Sequence, residues 1–71
     1  MSAVVVDATG LACPQPIILL AKQIPEIAIG ETITLLADDP AAIFDVPAWC
    51  RMTDNELVSS ENSTFVIRRN S

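Results

Sequence analysis

The sequence predicts an α+β fold, a two-layer α/β sandwich in which a four-stranded mixed sheet carries two helices on one face. Segments rich in β-branched and alternating apolar residues predict four strands, at residues 3–7, 31–37, 56–60 and 63–69. Apolar residues at helical spacing predict one helix after each of the first two strands. The order is therefore βαβαββ, and right-handed crossovers would place both helices on the same face. The last two strands form an antiparallel hairpin around Glu61-Asn62.

The first helix is predicted to begin near Pro14 and to end at about Ile24. Proline is tolerated in the first turn of a helix, because the amides there have no intrahelical partner, so Pro14 and Pro16 indicate a helix start. Pro25 should end or kink this helix, because it has no backbone N–H to donate. The apolar stripe that would face the core comprises Ile17, Leu20, Ala21 and Ile24, widened by Ile18 and Leu19.

The second helix is predicted to form in two stages. Asp39, which is followed by proline, suits the N-cap of a first turn. Pro47 would interrupt a continuous helix. We therefore expect an opening turn at 40–44 and a second cap at Asp45, from which the helix runs to about Met52. Its predicted core face comprises Ile43, Val46, Trp49 and Cys50.

The composition excludes several classes of function. Seventy-one residues, 51 % of them hydrophobic, predict one domain over residues 1–71 with a packed core. With nine acidic against four basic residues and a net charge of −5, direct binding of nucleic acid is not expected. The absence of histidine excludes Cys–His catalysis within one chain, and two distant cysteines lack the spacing of zinc ligands. We expect no metal and no other cofactor.

The N-terminal residues and the apolar runs indicate where the protein acts. No basic region precedes an apolar segment at the N-terminus, so no secretory signal is predicted. The apolar runs are too short to span a bilayer. We therefore expect a cytoplasmic protein with reduced thiols and no membrane association, acting as a monomer.

The most informative segment lies between the first strand and the first helix, where a glycine, a cysteine and two prolines follow Asp7. Cys13 falls at or beside the N-cap, where the helix dipole and a free amide favour the thiolate. The amide of Gln15 is the nearest that could bond the sulfur. Asp7 would oppose ionisation of the thiol if its carboxylate lay close. The alternative is that Cys13 is an unreactive small residue at the start of a helix.

Two further residues near these elements admit two interpretations each. Cys50 is flanked by Trp49 and Met52, which favours structural packing in the core over a redox role. Leu11 is either a contact for a docking partner or a core residue.

The chain resembles the TusA/SirA/YedF-like proteins nearly from end to end. The most specific element is Gly-Leu-x-Cys-Pro-x-Pro, which here is Gly10-Leu11-Ala12-Cys13-Pro14-Gln15-Pro16. Further matching segments are Gly30-Glu31, Asp38-Asp39-Pro40-Ala41, Asp45-Val46-Pro47, Trp49-Cys50, Glu56-Leu57-Val58 and Phe65-Val66-Ile67-Arg68-Arg69. The chain departs from many members in its Thr9 and Ala12 beside the cysteine, in Pro25 and in its acidic charge.

The resemblance implies a βαβαββ sandwich similar to the C-terminal domain of a bacterial translation initiation factor. It also implies that Cys13 accepts a persulfide sulfur from a cysteine desulfurase or another donor protein. A downstream acceptor protein then receives the sulfur, for example towards 2-thiouridine in tRNA. Gly10, Leu11, Pro14, Gln15 and Pro16 would support the cysteine loop, and the acidic pair before the second helix would act as a cap.

Two other functions remain open at the level of sequence. Cys13 could cycle through a sulfenic acid or a mixed disulfide in a thiol redox or regulatory module. The chain could also be a purely structural interaction domain. The proline-braced cysteine favours the first two functions over the third, and mass measurement of added sulfur on Cys13 separates the carrier from the redox module.

Overall fold

The computed structural model describes residues 4–70, which form one mixed sheet and two helices. The elements are β1 (Val4–Asp7), α1 (Gln15–Gln23), β2 (Thr32–Leu36), α2 (Ala42–Met52), β3 (Glu56–Glu61) and β4 (Thr64–Arg68). The strand order is β1-β2-β4-β3, with β1 parallel to β2 and the other neighbours antiparallel. This confirms the predicted α+β fold and its βαβαββ order. Residue 3, predicted to begin the first strand, lies outside the described residues.

The sheet has one apolar face, because side chains alternate along each strand. Val6 on β1 pairs with Leu35 on β2, which in turn pairs with Phe65 on β4. Ile33 and Ile67 form a second cross-strand pair on the same face. All five side chains are buried. The helices cover this face, since Leu20 of α1 and Val46 of α2 belong to the same hydrophobic cluster.

The helix α1 buries a narrower stripe than the sequence predicts. Leu20 is completely buried, and Ile17, Leu19 and Ile24 pack against the core. Ala21, predicted in the stripe, is exposed, and Ile18 is 41 % exposed. Pro16 takes their place as the second buried residue of the helix. The i, i+4 row from Pro16 through Leu20 to Ile24 thus forms the centre of the buried stripe, with Ile17 and Leu19 packed beside it.

The end of α1 differs slightly from the expected stop. A short 3₁₀ turn, Ile24–Glu26, continues the helix and contains Pro25. The last α-helical hydrogen bond runs from the amide of Ile24 to the carbonyl of Leu20, and it ends the ladder because the next residue, Pro25, has no N–H to donate.

The helix α2 corrects three predictions. It runs without interruption from Ala42 to Met52 with Pro47 inside, so Asp45 is not a second cap. Instead, the amide of Asp45 donates to the carbonyl of Ala41 at 2.9 Å. Ile43, predicted in the core, is 62 % exposed. The carbonyl that loses its donor at Pro47 belongs to Ile43, a residue on the exposed side of the helix.

The hairpin between β3 and β4 turns one residue later than predicted. Asn62 and Ser63 form the two-residue loop, with φ of 51° and 61°. Two consecutive positive φ angles are typical of a type I′ turn, whose twist matches that of the flanking strands. The amide of Ala37 donates to the carbonyl of Ser63 at 3.0 Å, which ties this turn to the segment after β2.

Truncating Leu20 should destabilise the protein severely, because its side chain is completely buried between sheet and helices. We expect Leu20→Ala to lower the free energy of unfolding by about 2–5 kcal/mol. Ile18→Ala, on the exposed side of the same helix, is the matched control and should cost much less. Urea unfolding followed by circular dichroism compares the two variants. Equal losses would show that the assigned core face of α1 is wrong.

Candidate functional site

The candidate site lies at the carboxyl edge of the parallel strands β1 and β2. The segment 8–14 leaves β1 at this edge, and the segment 37–41 leaves β2 beside it. The amide of Ala8 donates to the carbonyl of Leu36 at 2.7 Å, which continues the strand pairing into the first loop. The amide of Gly10 donates to the carboxylate of Asp38 at 2.9 Å. These bonds fix the cysteine loop to the segment that leads into α2.

Gly10 allows the chain to turn at this point. Its φ of +80° lies in the left-handed region, where a side chain would be strained. The amide of the next residue, Leu11, donates to the carbonyl of Ala8 at 3.2 Å and closes the turn. Leu11 is 38 % exposed, so it is available at the surface near the thiol rather than part of the core.

Asp7 organises the start of the loop instead of acting on the thiol. Its carboxylate accepts hydrogen bonds from the amide and the hydroxyl of Thr9, at 3.0 and 2.6 Å. The hydroxyl bond, followed by the amide bond, lowers the pKa of Asp7 below its ordinary value. Asp7 is not among the groups that raise the pKa of Cys13, so the condition under which it would oppose ionisation of the thiol is not met.

Cys13 is exposed and lies directly before the N-cap of α1, which is Pro14. The peptide bond between these two residues is cis. The amide of Gln15 donates to the carbonyl of Ala12 at 2.9 Å, not to the sulfur as predicted. No side chain caps the N-terminus of α1. The helix start therefore offers the sulfur none of the hydrogen bonding that the sequence suggested.

The sulfur of Cys13 contacts α2 instead. Its thiol donates a hydrogen bond to the Oδ2 atom of Asp45 at 2.8 Å. This bond, then desolvation and the negative charges of Asp45 and Asp39, raise the pKa of Cys13 above its ordinary value. The prediction that the site favours the thiolate is therefore wrong for the free protein: a carboxylate at hydrogen-bond distance outweighs the dipole of a short helix.

The other predicted site residues surround the cysteine in different ways. Pro14 and Gln15 are exposed at the surface beside it, whereas Pro16 is buried beneath the first turn of α1. The prediction that Asp38 and Asp39 cap the second helix is wrong, because the N-cap of α2 is Ala41 and has no side-chain hydrogen bond. Asp39 instead accepts, through its carboxylate, a hydrogen bond from the amide of Ala41 at 3.1 Å in the turn before the helix. Its carbonyl also accepts from the amide of Ala42 at 3.0 Å. Together these bonds close the turn that precedes α2.

Asp45 is the functional neighbour that the sequence reasoning missed. It lies 32 positions from Cys13 and stands two residues before Pro47, a pattern that is typical of a helix cap and does not indicate a contact with the cysteine. The feature of the sequence that indicates this contact is the order of its strands and helices. Helices that follow two parallel strands begin at the same edge of the sheet, so the first turn of the second helix had to approach the cysteine loop.

A cavity of about 220 Å³ opens at the same edge, between the segment after β2 and the β3–β4 turn. Its walls carry the carboxylates of Asp38, Asp39 and Glu61 together with the apolar side chains of Ile43 and Phe65. Cys13 is not part of its lining. The cavity adds negative potential beside the cysteine loop but does not enclose the thiol.

The second cysteine is shielded from any chemistry at the edge of the sheet. Cys50 is only 2 % exposed on the core side of α2. Burial raises the pKa of its thiol to about 11. Both cysteines are free thiols, so Cys13 has no disulfide partner in the chain.

Two further features of residues 4–70 bear on the site. Within this range, no three His, Cys, Asp or Glu side chains converge in an arrangement suited to a metal ion. Neither described helix has the length and apolarity needed to cross a membrane.

The two cysteines should differ strongly in their reaction with iodoacetamide. We expect Cys13 to be alkylated much faster than Cys50 in the folded protein, because access limits the buried thiol. The rate at Cys13 should keep rising to higher pH than that of an ordinary exposed cysteine, since only the thiolate reacts and its pKa is raised. Peptide mass spectrometry of samples quenched over time measures both rates. A faster Cys50 would contradict the assignment, and unfolding in urea should abolish the difference.

Comparison with known proteins agrees with this architecture. A solved SirA-like protein from Desulfitobacterium hafniense has a similar fold, with a TM-score of 0.68, 22 % sequence identity and coverage of 90 % of each chain. Residues 4–69 match the family described as sulfurtransferase TusA. The match includes all six elements and the cysteine loop, and it confirms the resemblance seen in the sequence. The chain belongs to the TusA sulfurtransferase family.

Proposed function

We propose that this protein is a sulfur carrier in which Cys13 holds the transferred sulfur as a persulfide. A cysteine desulfurase or another donor protein supplies the sulfur, and a downstream acceptor protein receives it. The observation that carries the proposal is the single exposed thiol at the sheet edge of a TusA-family domain. A carrier needs one sulfur that a partner's active site can reach.

The loading step is a redox-neutral exchange of sulfur between two cysteines. The thiolate of Cys13 attacks the outer sulfur of the donor's persulfide, forming a new S–S bond. The S–S bond of the donor breaks, and the donor cysteine leaves as a thiolate. This thiolate takes up one proton, which balances the proton that Cys13 gave up. Handover repeats the exchange with an acceptor nucleophile attacking the outer sulfur on Cys13.

The position of the second cysteine supports the carrier role. A thiol close to a persulfide discharges it by forming a disulfide. Cys50 is buried in the core, so it has no access to the sulfur at the surface. Pro16 also occupies the position where a Cys-x-x-Cys redox motif would have its second cysteine.

The raised pKa of Cys13 argues against the alternative of a thiol redox or regulatory module. Cysteines that sense oxidants are accessible thiols with lowered pKa values, often beside a resolving cysteine. Cys13 is accessible, but its contact with Asp45 raises its pKa. The geometry therefore favours sulfur exchange with a partner protein over direct oxidation by small molecules.

The charge around the thiol supports protein partners rather than a nucleic acid. Asp38, Asp39 and Asp45 lie on the segment and helix beside the cysteine loop, and Glu61 lies at the same edge of the sheet. A phosphate backbone would be repelled by this surface. If the sulfur ends in 2-thiouridine of tRNA, the chain is expected to pass it to an acceptor protein that itself binds the tRNA.

Loading with a cysteine desulfurase and cysteine should add sulfur to Cys13. We expect the wild-type protein and Cys50→Ala to gain mass corresponding to one or more sulfur atoms, and Cys13→Ser to gain none. A reducing agent should remove the added mass, as expected of a persulfide. Intact-protein and peptide mass spectrometry locate the modification. Sulfur on Cys50 alone, or none with any sulfur donor protein, would contradict the proposal.

Transfer from the donor should slow as the ionic strength rises. The acidic edge should attract a basic surface on the donor, and salt screens exposed charges over about 8–10 Å at 0.1–0.15 M. Loss of steering can reduce association by roughly tenfold or more. Stopped-flow or quenched transfer assays over a range of salt concentrations measure this effect under conditions where association limits the rate.

A pair of matched variants tests whether the position of the charge matters. Glu61→Gln removes one charge at the edge that carries Cys13, whereas Glu26→Gln removes one in the 3₁₀ turn that follows α1, at the other end of that helix from Cys13. We expect a weaker salt dependence for Glu61→Gln and little change for Glu26→Gln. A flat salt dependence in all proteins would show that the acidic residues only maintain solubility, and an equal, steep dependence in all three would contradict the role of the charge at the edge that carries Cys13.

A further inference from the structure

We propose that Asp45 is a positioning residue that restrains the unloaded carrier by accepting the hydrogen bond of the Cys13 thiol and holding the sulfur protonated against α2. The biological meaning of this inference rests on the proposed sulfur-carrier function. The contact itself is a property of the free protein and is testable without any sulfur donor.

Both sides of the contact between Cys13 and Asp45 lie in segments that other hydrogen bonds hold in place. Asp45 is half-buried in the first turn of α2, next to the completely buried Val46. Its amide is bonded within the helix at 2.9 Å. On the other side, the bond between the Gly10 amide and Asp38 holds the cysteine loop at 2.9 Å. The 2.8 Å thiol–carboxylate bond therefore joins two anchored segments.

The charged groups that act on the sulfur of Cys13 are carboxylates, and they all raise the pKa of the thiol. Among the described residues, the charged groups that act on Cys13 are Asp45 and, more weakly, Asp39. The carboxylate of Asp38 accepts the Gly10 amide, and that of Asp7 accepts bonds from Thr9. On α1, the charged side chain is Lys22, which lies in the last turn.

This arrangement protects a carrier from unwanted reactions in both of its states. An unloaded thiol that stays protonated reacts slowly with electrophiles and oxidants. In the loaded state, Cys13 is the leaving group when the persulfide is discharged, and thiols with higher pKa values leave more slowly. A partner that pairs a cation with Asp45 would remove both restraints at the moment of transfer.

The test is the pH dependence of alkylation at Cys13 in Asp45→Asn. The asparagine keeps the size of the side chain, can donate a hydrogen bond to a thiolate and removes the charge. We expect the midpoint of the pH–rate profile to move to lower pH. At pH 7, each unit of decrease in the pKa should raise the rate about threefold, because the thiolate fraction rises about tenfold while its intrinsic reactivity falls about threefold.

Three comparisons separate this effect from a general change in charge or folding. Asp54→Asn makes the same charge change at the far end of α2, at a position with φ of 59° that asparagine tolerates well, and should leave the profile unchanged. Asp45→Glu keeps the carboxylate and should retain most of the restraint. A peptide of residues 10–16 lacks the contact, so wild-type Cys13 should have a higher midpoint than the peptide.

The outcomes decide the proposal independently of sulfur transfer. A lower midpoint in Asp45→Asn together with unchanged Asp54→Asn supports it. A profile unchanged or moved to higher pH in folded Asp45→Asn overturns it, as does a wild-type midpoint at or below that of the peptide. The wild-type comparison with the peptide holds even if the Asp45→Asn variant does not fold. If persulfide loading fails while the alkylation midpoints of the variants shift as expected, the carrier function is refuted and the role of Asp45 is not.

Discussion

The parallel pairing of β1 with β2 is the constraint on which the site depends. Val4 pairs with Ile33 and Val6 with Leu35, and a buried helix stripe covers both pairs. Parallel strands end at the same edge, so the loops that leave them meet. The bond between Gly10 and Asp38 then fixes one loop to the other. Without this pairing, the cysteine loop and the first turn of α2 would have no reason to be neighbours.

Local signals in the sequence were sufficient for the elements but not for the site. Prolines, glycine and β-branched runs act through the backbone of adjacent residues, and they placed four strands and two helices within a few residues. Local signals do not predict the continuity of α2 through Pro47, because a proline without an N–H normally indicates the interruption of a helix. The role of Asp45 was missed as well, since a contact across 32 positions has no local pattern. An aspartate near the start of a helix is already accounted for by capping, so its charge alone does not indicate a contact with a distant thiol.

The helix N-terminus and the carboxylate of Asp45 have opposite effects on the pKa of the Cys13 thiol. A helix N-terminus offers roughly half a positive charge, and mainly through its free amides. Here the prolines remove two of those donors, and the Gln15 amide bonds Ala12. Asp45 brings a full negative charge to hydrogen-bond distance of the sulfur. The carboxylate therefore outweighs the helix N-terminus and raises the pKa of the thiol, and the prolines shape the loop without activating the cysteine.

The two thiols of this chain have raised pKa values for different physical reasons, and the difference matters for function. Burial raises the pKa of Cys50, so this effect persists for as long as the core stays folded. A surface contact raises the pKa of Cys13, and rotation of one side chain or one cation on a partner is sufficient to remove it. Only the second effect is reversible on the timescale of an encounter between proteins. A carrier that must be inert while free and reactive in a complex needs this second kind of control, which a helix dipole fixed in the fold could not provide.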